Sequence, residues 1–128
     1  MAPPRIPEQV LRFLEECIDS VPQLEALLIM VDDPSRGWTA DDIAARVYVS
    51  AAEATRILDR LSRRELIHAD GSGTHFRFAA DDVRKSVLIA EVAATYRANL
   101  TLIATFIHEK APASLKEFAR AFDLKRDR

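Results

Sequence analysis

The chain has 128 residues, 48% of them hydrophobic, with 18 Lys/Arg against 20 Asp/Glu and a net charge of −2. That length and apolar content support one domain whose core needs neither disulfides nor a metal to hold it. Its only cysteine, Cys17, excludes an internal disulfide, and MAPPRIPEQV lacks the apolar run of a signal peptide, so a cytoplasmic location is expected.

Met1 to Ile6 is proline-rich and reads as a loose arm. Pro7 suits the first turn of a helix, whose apolar side is Val10, Leu11, Leu14, Cys17 and Ile18. Glu15 and Glu16 beside Cys17 raise rather than lower a thiol pKa, so this cysteine reads as a packed side chain, not a redox centre. Ser20 caps a second helix with Pro22 in its first turn and Gln23 three residues on. Leu24, Leu27, Leu28 and Val31 form its stripe, and Ile29 and Met30 widen it, which predicts a central helix buried on several sides. Asp32-Asp33-Pro34 ends it. Trp38 then has two readings, a short third strand against the hairpin below or a hydrophobic plug at the start of the next helix.

Thr39 caps the third helix, with Asp42 at its third position and Ile43, Ala44 and Val47 on the buried face. Tyr48-Val49 leaves room only for a turn. Ser50 with Glu53 reads as a capping box for the fourth helix, Ala51–Arg64. Ala54, Ile57, Leu58 and Leu61 make its apolar stripe, while Arg56, Arg60 and Arg63 fall on another side. Two helices of this length around a short turn form a helix-turn-helix, whose second helix is the one that enters a major groove.

After Arg64 the period changes from helix to strand. Ile67 and Ala69 alternate with His68 and Asp70, and Thr74, Phe76 and Phe78 alternate with His75 and Arg77, around the loop Gly71-Ser72-Gly73. A short loop would set His68 directly opposite His75. No third ligand lies nearby in sequence, so no metal site is expected.

Helix, turn, helix and hairpin in this order carry T-x-x-D-I-A-x-x-V-x-V-S from Thr39, R-x-L-x-x-L from Arg56, and the Leu66-Ile67 pair. This resembles the winged helix-turn-helix superfamily of bacterial transcriptional regulators, the MarR-like and PadR-like groups in particular, over roughly a third of the chain (Thr39–Phe78). The resemblance implies that Ser50, Ala51, Ala52, Thr55 and Arg56 lie near base edges, and that Arg60, Arg63, His75 and Arg77 lie nearer the phosphates. Arg56 is the best candidate for a bidentate contact with guanine. The competing reading of these arginines is intrahelical pairing, Glu53 with Arg56 and Asp59 with Arg63. Two departures stand out. Many relatives carry glycine just before the Leu-Ile pair, where this chain has Glu65, which implies a different bend at the helix exit. The wing tip also has no lysine or arginine. Six basic and six acidic residues leave the whole motif neutral, so DNA binding would depend on where charge is placed.

Ala80-Asp81-Asp82 caps a helix expected to run to about Lys110, roughly 40 Å at 1.5 Å per residue. Ile89, Val92, Tyr96, Leu100, Ile103 and Ile107 form one stripe; Leu88, Val92, Thr95, Asn99, Leu102 and Phe106 form another. One stripe can cover the domain and the other a two-fold partner; alternatively the N-terminal helices cover both. Glu91, Arg97 and Asn99 near its middle exclude a membrane span. Pro112 breaks the chain, and Ser114 with Glu117 opens a short amphipathic helix of Leu115, Phe118, Ala119 and Phe122. Its partner is expected to be the dimer itself; the alternatives are a separate protein, or a weak membrane contact aided by Lys125 and Arg126.

No phosphate loop, G-x-S-x-G, Cys-x-x-Cys or metal-ligand spacing is present, and the Asp pairs fall at helix ends, where capping explains them. The sequence therefore predicts a non-enzyme without a cofactor. It is mainly α with a small β-hairpin, a winged helix-turn-helix core plus an N-terminal helix and a long C-terminal dimerisation helix. Its parts are an arm and helix over 1–19, the winged domain over 20–79, and the long helix with the short C-terminal helix over 80–128. The expected function is a homodimeric DNA-binding regulator of transcription, with double-stranded DNA as partner. Leu88, Val92, Tyr96, Asn99, Ile103, Phe106, Phe118 and Phe122 are expected at the dimer interface. The alternative is a winged-helix module that binds protein instead of DNA.

Overall fold

A computed structural model describes residues 6–110. The expected helix around Leu115, Phe118 and Phe122 lies outside the described residues, as do Met1–Arg5. In chain order the elements are α1 (Glu8–Cys17), α2 (Val21–Asp32), α3 (Ala40–Val47), α4 (Ala51–Arg63), β1 (Ile67–Ala69), β2 (Phe76–Phe78), α5 (Val83–Ala98) and α6 (Leu100–Glu109). The described chain is thus mainly helical with one small antiparallel sheet.

The helix that the sequence places at the centre is there. Leu24, Ala26, Leu27, Leu28 and Met30 of α2 are all buried, and α2 packs against α3, α4, α5, α6 and β2. Ser20 Oγ accepts from the Gln23 amide at 3.3 Å and starts it. Burying each Leu or Met on such a helix is worth about 1.5–3 kcal/mol relative to exposure, so α2 is the largest single contributor to the core. Around it α1 lies against α5, α3 and α4 pack as a pair, and β1 follows α4 closely.

In the hairpin, Ile67 pairs with Phe78, His68 with Arg77 and Ala69 with Phe76. This register corrects the expected histidine pair: His68 faces Arg77, while the His75 carbonyl accepts from the Asp70 amide at 2.8 Å. Four residues, Gly71 to Thr74, separate Asp70 from His75, and the longer loop moves His75 two residues toward the tip, opposite Asp70. Both readings of Trp38 hold. It bridges Phe76 through two backbone hydrogen bonds of 2.7 and 2.8 Å, as a one-residue third strand, and its indole is buried.

Two further expectations are corrected. The long helix is two helices, bent by 109°. Asn99 leaves the helical region (φ −141°, ψ 50°), and its Nδ2 donates to the Thr95 carbonyl at 3.0 Å, replacing a bond that the bend removes. Asn competes with helical backbone in this way wherever its side chain can reach a carbonyl. The bend folds α6 back on α2, so Val92, Tyr96, Ile103 and Ile107 fill the chain's own core. Val92, Tyr96 and Ile103 are buried within the described chain itself, whereas Leu88, Asn99 and Phe106 are half-buried. No single helix among the described residues is long and apolar enough to cross a membrane.

The second correction is at Glu65. Its φ of +61° is the left-handed conformation that glycine adopts without strain, so the exit from α4 keeps that bend with a residue that resists it. Leu66 and Ile67 are thereby turned into the core. Relief of the left-handed strain outweighs the extra freedom of an unfolded glycine, so Glu65→Gly is expected to stabilise the fold by roughly 0.5–1 kcal/mol, and Glu65→Val to destabilise it by about 1–2 kcal/mol. Urea-unfolding midpoints check both. A Glu65→Gly variant no more stable than the parent would contradict the strain argument.

Candidate nucleic-acid interface

The helix-turn-helix is fixed by its caps. Thr39 Oγ1 accepts from the Asp42 amide at 3.1 Å and Asp42 Oδ2 accepts from the Thr39 amide at 3.0 Å, a complete capping box. The Thr39 N–H bond holds the Asp42 carboxyl below its ordinary pKa. Tyr48 takes a left-handed conformation (φ 59°) to end α3 and carries its ring almost wholly into solvent. Ser50 then caps α4, accepting from the Glu53 amide at 3.0 Å. The reciprocal half of that expected box is absent, because the Glu53 carboxylate is turned to Arg56.

With Ala54, Ile57, Leu58 and Leu61 buried, α4 turns Ala51, Ala52, Thr55, Arg56, Asp59, Arg60 and Arg63 outward. The structure thus brings Ser50, Ala51, Ala52, Thr55, Arg56 and Arg63 onto one exposed surface. Thr55 Oγ1 donates to the Ala51 carbonyl at 2.9 Å, which leaves its lone pairs facing solvent. Both intrahelical pairs form: Glu53 with Arg56 at 2.8 Å and Asp59 with Arg63 at 3.0 Å. Such exposed pairs contribute little to stability, about 0.2–1 kcal/mol each. They do fix where the guanidinium groups sit.

Arg60 belongs to a different group. Its Nη1 donates to Asp19 Oδ2 at 2.7 Å, and Arg64 Nη2 reaches the same oxygen at 3.1 Å. Arg64 Nη1 also donates to the Cys17 carbonyl. Gln23, 1% exposed, accepts from the Asp19 amide at 2.7 Å and lies 3.4 Å from Arg64 Nη1. On the other side, Lys110 Nζ donates to the Ile18 carbonyl. The joint between α1 and α2 thus ties down the last turns of both α4 and α6. Partial burial pushes the Asp19 carboxyl up, but the Arg60 and Arg64 hydrogen bonds and charges prevail and hold it below its ordinary value. At Cys17 burial is the main cause of a raised thiol pKa, in keeping with a packed side chain.

The wing divides likewise. Asp70 Oδ1 accepts from Ser72 Oγ at 2.8 Å and from the Thr74 and His75 amides at 3.2 and 3.3 Å. That closes the tip around a carboxylate, and the His75 ring lies 3.6 Å from the same side chain. Arg77 is exposed on β2 and makes no ion pair among the described residues. Below the wing, Arg36 lies 3.7 Å and Arg46 5.4 Å from the Trp38 ring centroid. Asp19, Gln23 and Arg64 were not legible as a group in the sequence, because 41 or more residues separate Arg64 from its partners. Among the described residues no group of three His, Cys, Asp or Glu side chains could hold a metal ion.

No protein-family model matches the chain, and no curated protein matches it in sequence. Among solved structures its fold is that of the MarR-type winged-helix regulators. The multiple antibiotic-resistance repressor of Listeria monocytogenes is similar at a TM-score of 0.52 and 14% identity, over 93% of this chain and 79% of that one. MepR, a transcription regulator of the Staphylococcus aureus multidrug efflux pump MepA, gives 0.52 and 15% over 93% and 84%. The S. aureus MepR–DNA complex gives 0.52 and 19% over 77% and 88%. At such identities the likeness establishes the fold, and the site's chemistry has to be argued from its own residues.

The Asp19 cluster makes a definite stability prediction. Asp19→Asn leaves Arg60 and Arg64 without their carboxylate and is expected to cost about 1–3 kcal/mol at neutral pH. Because the folded pKa lies below the unfolded value of 3.8, the contribution is complete above that value and is lost as pH falls through the folded one. Urea titrations of parent and variant should therefore converge in acid. An equal gap at pH 7 and in strong acid would contradict the assignment.

Proposed function

We propose that this protein is a homodimeric regulator of transcription that binds duplex DNA by placing α4 of each copy in successive major grooves. The observation that carries the reading is the outer side of α4. Ser50, Ala51, Ala52, Thr55, Arg56 and Arg63 are presented together, with no side-chain hydrogen bond or ion pair to another element among the described residues, on a helix whose inner side is locked to the core. The fold places that helix as the second of a helix-turn-helix, the one that enters a groove, and a protein of the same fold, MepR, has been solved with DNA. In this reading Arg56 reads a base edge, Ser50, Ala51, Ala52 and Thr55 line the bases beside it, and Arg63 and Arg77 contact phosphates. Arg60 serves mainly to orient α4 through Asp19, and His75 lies at the wing edge beside Asp70.

Two copies are needed to span two half-sites, about 34–36 Å apart along the duplex. Besides Tyr48, the large apolar side chains left open among the described residues are Val83 (79% exposed), Val87 (64%), Leu100 (54%) and Leu102 (45%). With half-buried Leu88 and Phe106 they form the surface through which a second copy would pair. A second reading, a module that binds protein through this apolar surface, is favoured by the neutral charge of the motif and the pairing of its arginines.

Fluorescence anisotropy on the chain's own upstream DNA, over a salt series, separates the two. Arg56→Ala is expected to cost about 1–3 kcal/mol and to relax preference at one base pair, whereas Arg63→Ala weakens binding to all sequences and lowers the salt slope by about one. A folded dimer that binds no duplex even at low salt would overturn the reading in favour of the protein-binding module. Val87→Glu should shift the chain toward monomer in light scattering and weaken DNA binding with it. A dimer unaffected by Val87→Glu would place the pairing surface elsewhere.

A further inference from the structure

We infer that Glu53 is a positioning residue for base recognition, holding the Arg56 guanidinium with its far edge presented to a guanine; the inference rests on the DNA-binding reading above. The geometry is specific. One oxygen, Glu53 Oε1, accepts from both Arg56 Nε at 3.1 Å and Nη2 at 2.8 Å. A guanidinium has five N–H donors in a rigid plane, and this contact occupies the two on its Nε side. The parallel pair on its far edge, one from Nη1 and one from Nη2, remains open. That edge matches the O6 and N7 acceptors of guanine in the major groove.

The placement of Glu53 supports this role over a purely helical one. At the third position of a helix capped by Ser50, a glutamate ordinarily reaches back to the cap backbone. Here it gives up that bond and turns forward one turn to Arg56. Among the described residues Arg56 has no acidic partner outside its own helix, unlike Arg60 and Arg64, which Asp19 holds. The Glu53 contact is thus what selects the orientation of a side chain that is 63% exposed. An arginine held in its bound geometry loses less freedom on binding and tolerates fewer alternative bases. The carboxylate also repels phosphates, so it lowers affinity for every duplex while raising discrimination among them. Its role is specificity, at the expense of general affinity.

Two charge-matched variants separate positioning from plain electrostatics. Glu53→Gln and Glu53→Ala remove the same charge, but only Gln keeps an oxygen that can accept from Arg56. The binding site is first selected from random duplexes by the parent protein. Affinities of parent and variants are then measured for that site, for the site with its guanine pair changed, and for unrelated duplex. Both variants should bind unrelated duplex a few-fold more tightly. Glu53→Ala should lose about ten-fold in discrimination for the guanine, Glu53→Gln should lose less than half as much on a logarithmic scale, and neither change should matter in an Arg56→Ala background. Equal discrimination in both variants and the parent, or equal loss in both variants, would overturn the positioning role while leaving DNA binding intact. A parent protein that enriches no sequence would overturn the DNA-binding reading and this inference with it.

Discussion

One carboxylate orients the second helix of the helix-turn-helix. Asp19, at the joint of α1 and α2, takes Arg60 of α4 and Arg64 at its C-cap on the same oxygen. The apolar stripe of α4 fixes which side faces the core, but a helix of 13 residues can still roll or slide on apolar contacts alone. Directional ion pairs near its end remove that freedom. Gln23 completes the arrangement: buried, it accepts from the backbone beside Asp19 and lies next to Arg64, so the joint is itself braced against α2. Everything outward on α4 inherits its direction from this joint.

The same arrangement sets the electrostatics of the exposed face. Two of the arginines on α4's last turns are turned toward Asp19, and Arg56 and Arg63 remain outside, each beside an acid of its own helix. Proteins that hold DNA by charge alone carry an excess of lysine and arginine, and their affinity falls steeply with salt. A neutral interface with fixed guanidinium groups works differently. Under the proposed reading it would give up affinity for arbitrary duplex and leave discrimination to a few oriented donors. The wing follows the same pattern, with a carboxylate closing its tip and Arg77 exposed on its strand.

Periodicity and caps made most of the fold legible. The α2 stripe, the Thr39 and Ser50 caps and the strand alternation after Arg64 are local signals, each confined to a few residues, and the elements stand where they point. What failed was non-local or conformational. The stripe from Leu88 to Ile107 continues through Asn99, so only a preference of Asn for backbone bonding marked the 109° bend. The loop length that decides which residue faces His68 depends on how Asp70 closes the tip. Glu65 kept a left-handed exit because the burial of Leu66 and Ile67 outweighs its strain, a balance that no local pattern reports. At the site, the exposed residues of α4 were legible from helical spacing. The pairing of Arg60 with Asp19 was not, because its partner lies 41 residues away.

The outer side of α4 is the proposed surface for duplex DNA. Backbone amide NMR of the parent protein, titrated with its selected duplex, tests it residue by residue. The largest shifts are expected at Ser50–Arg63 and around His75–Arg77, with α1 and the core of α2 unchanged. Shifts confined to α5 and α6, with α4 silent, would contradict it.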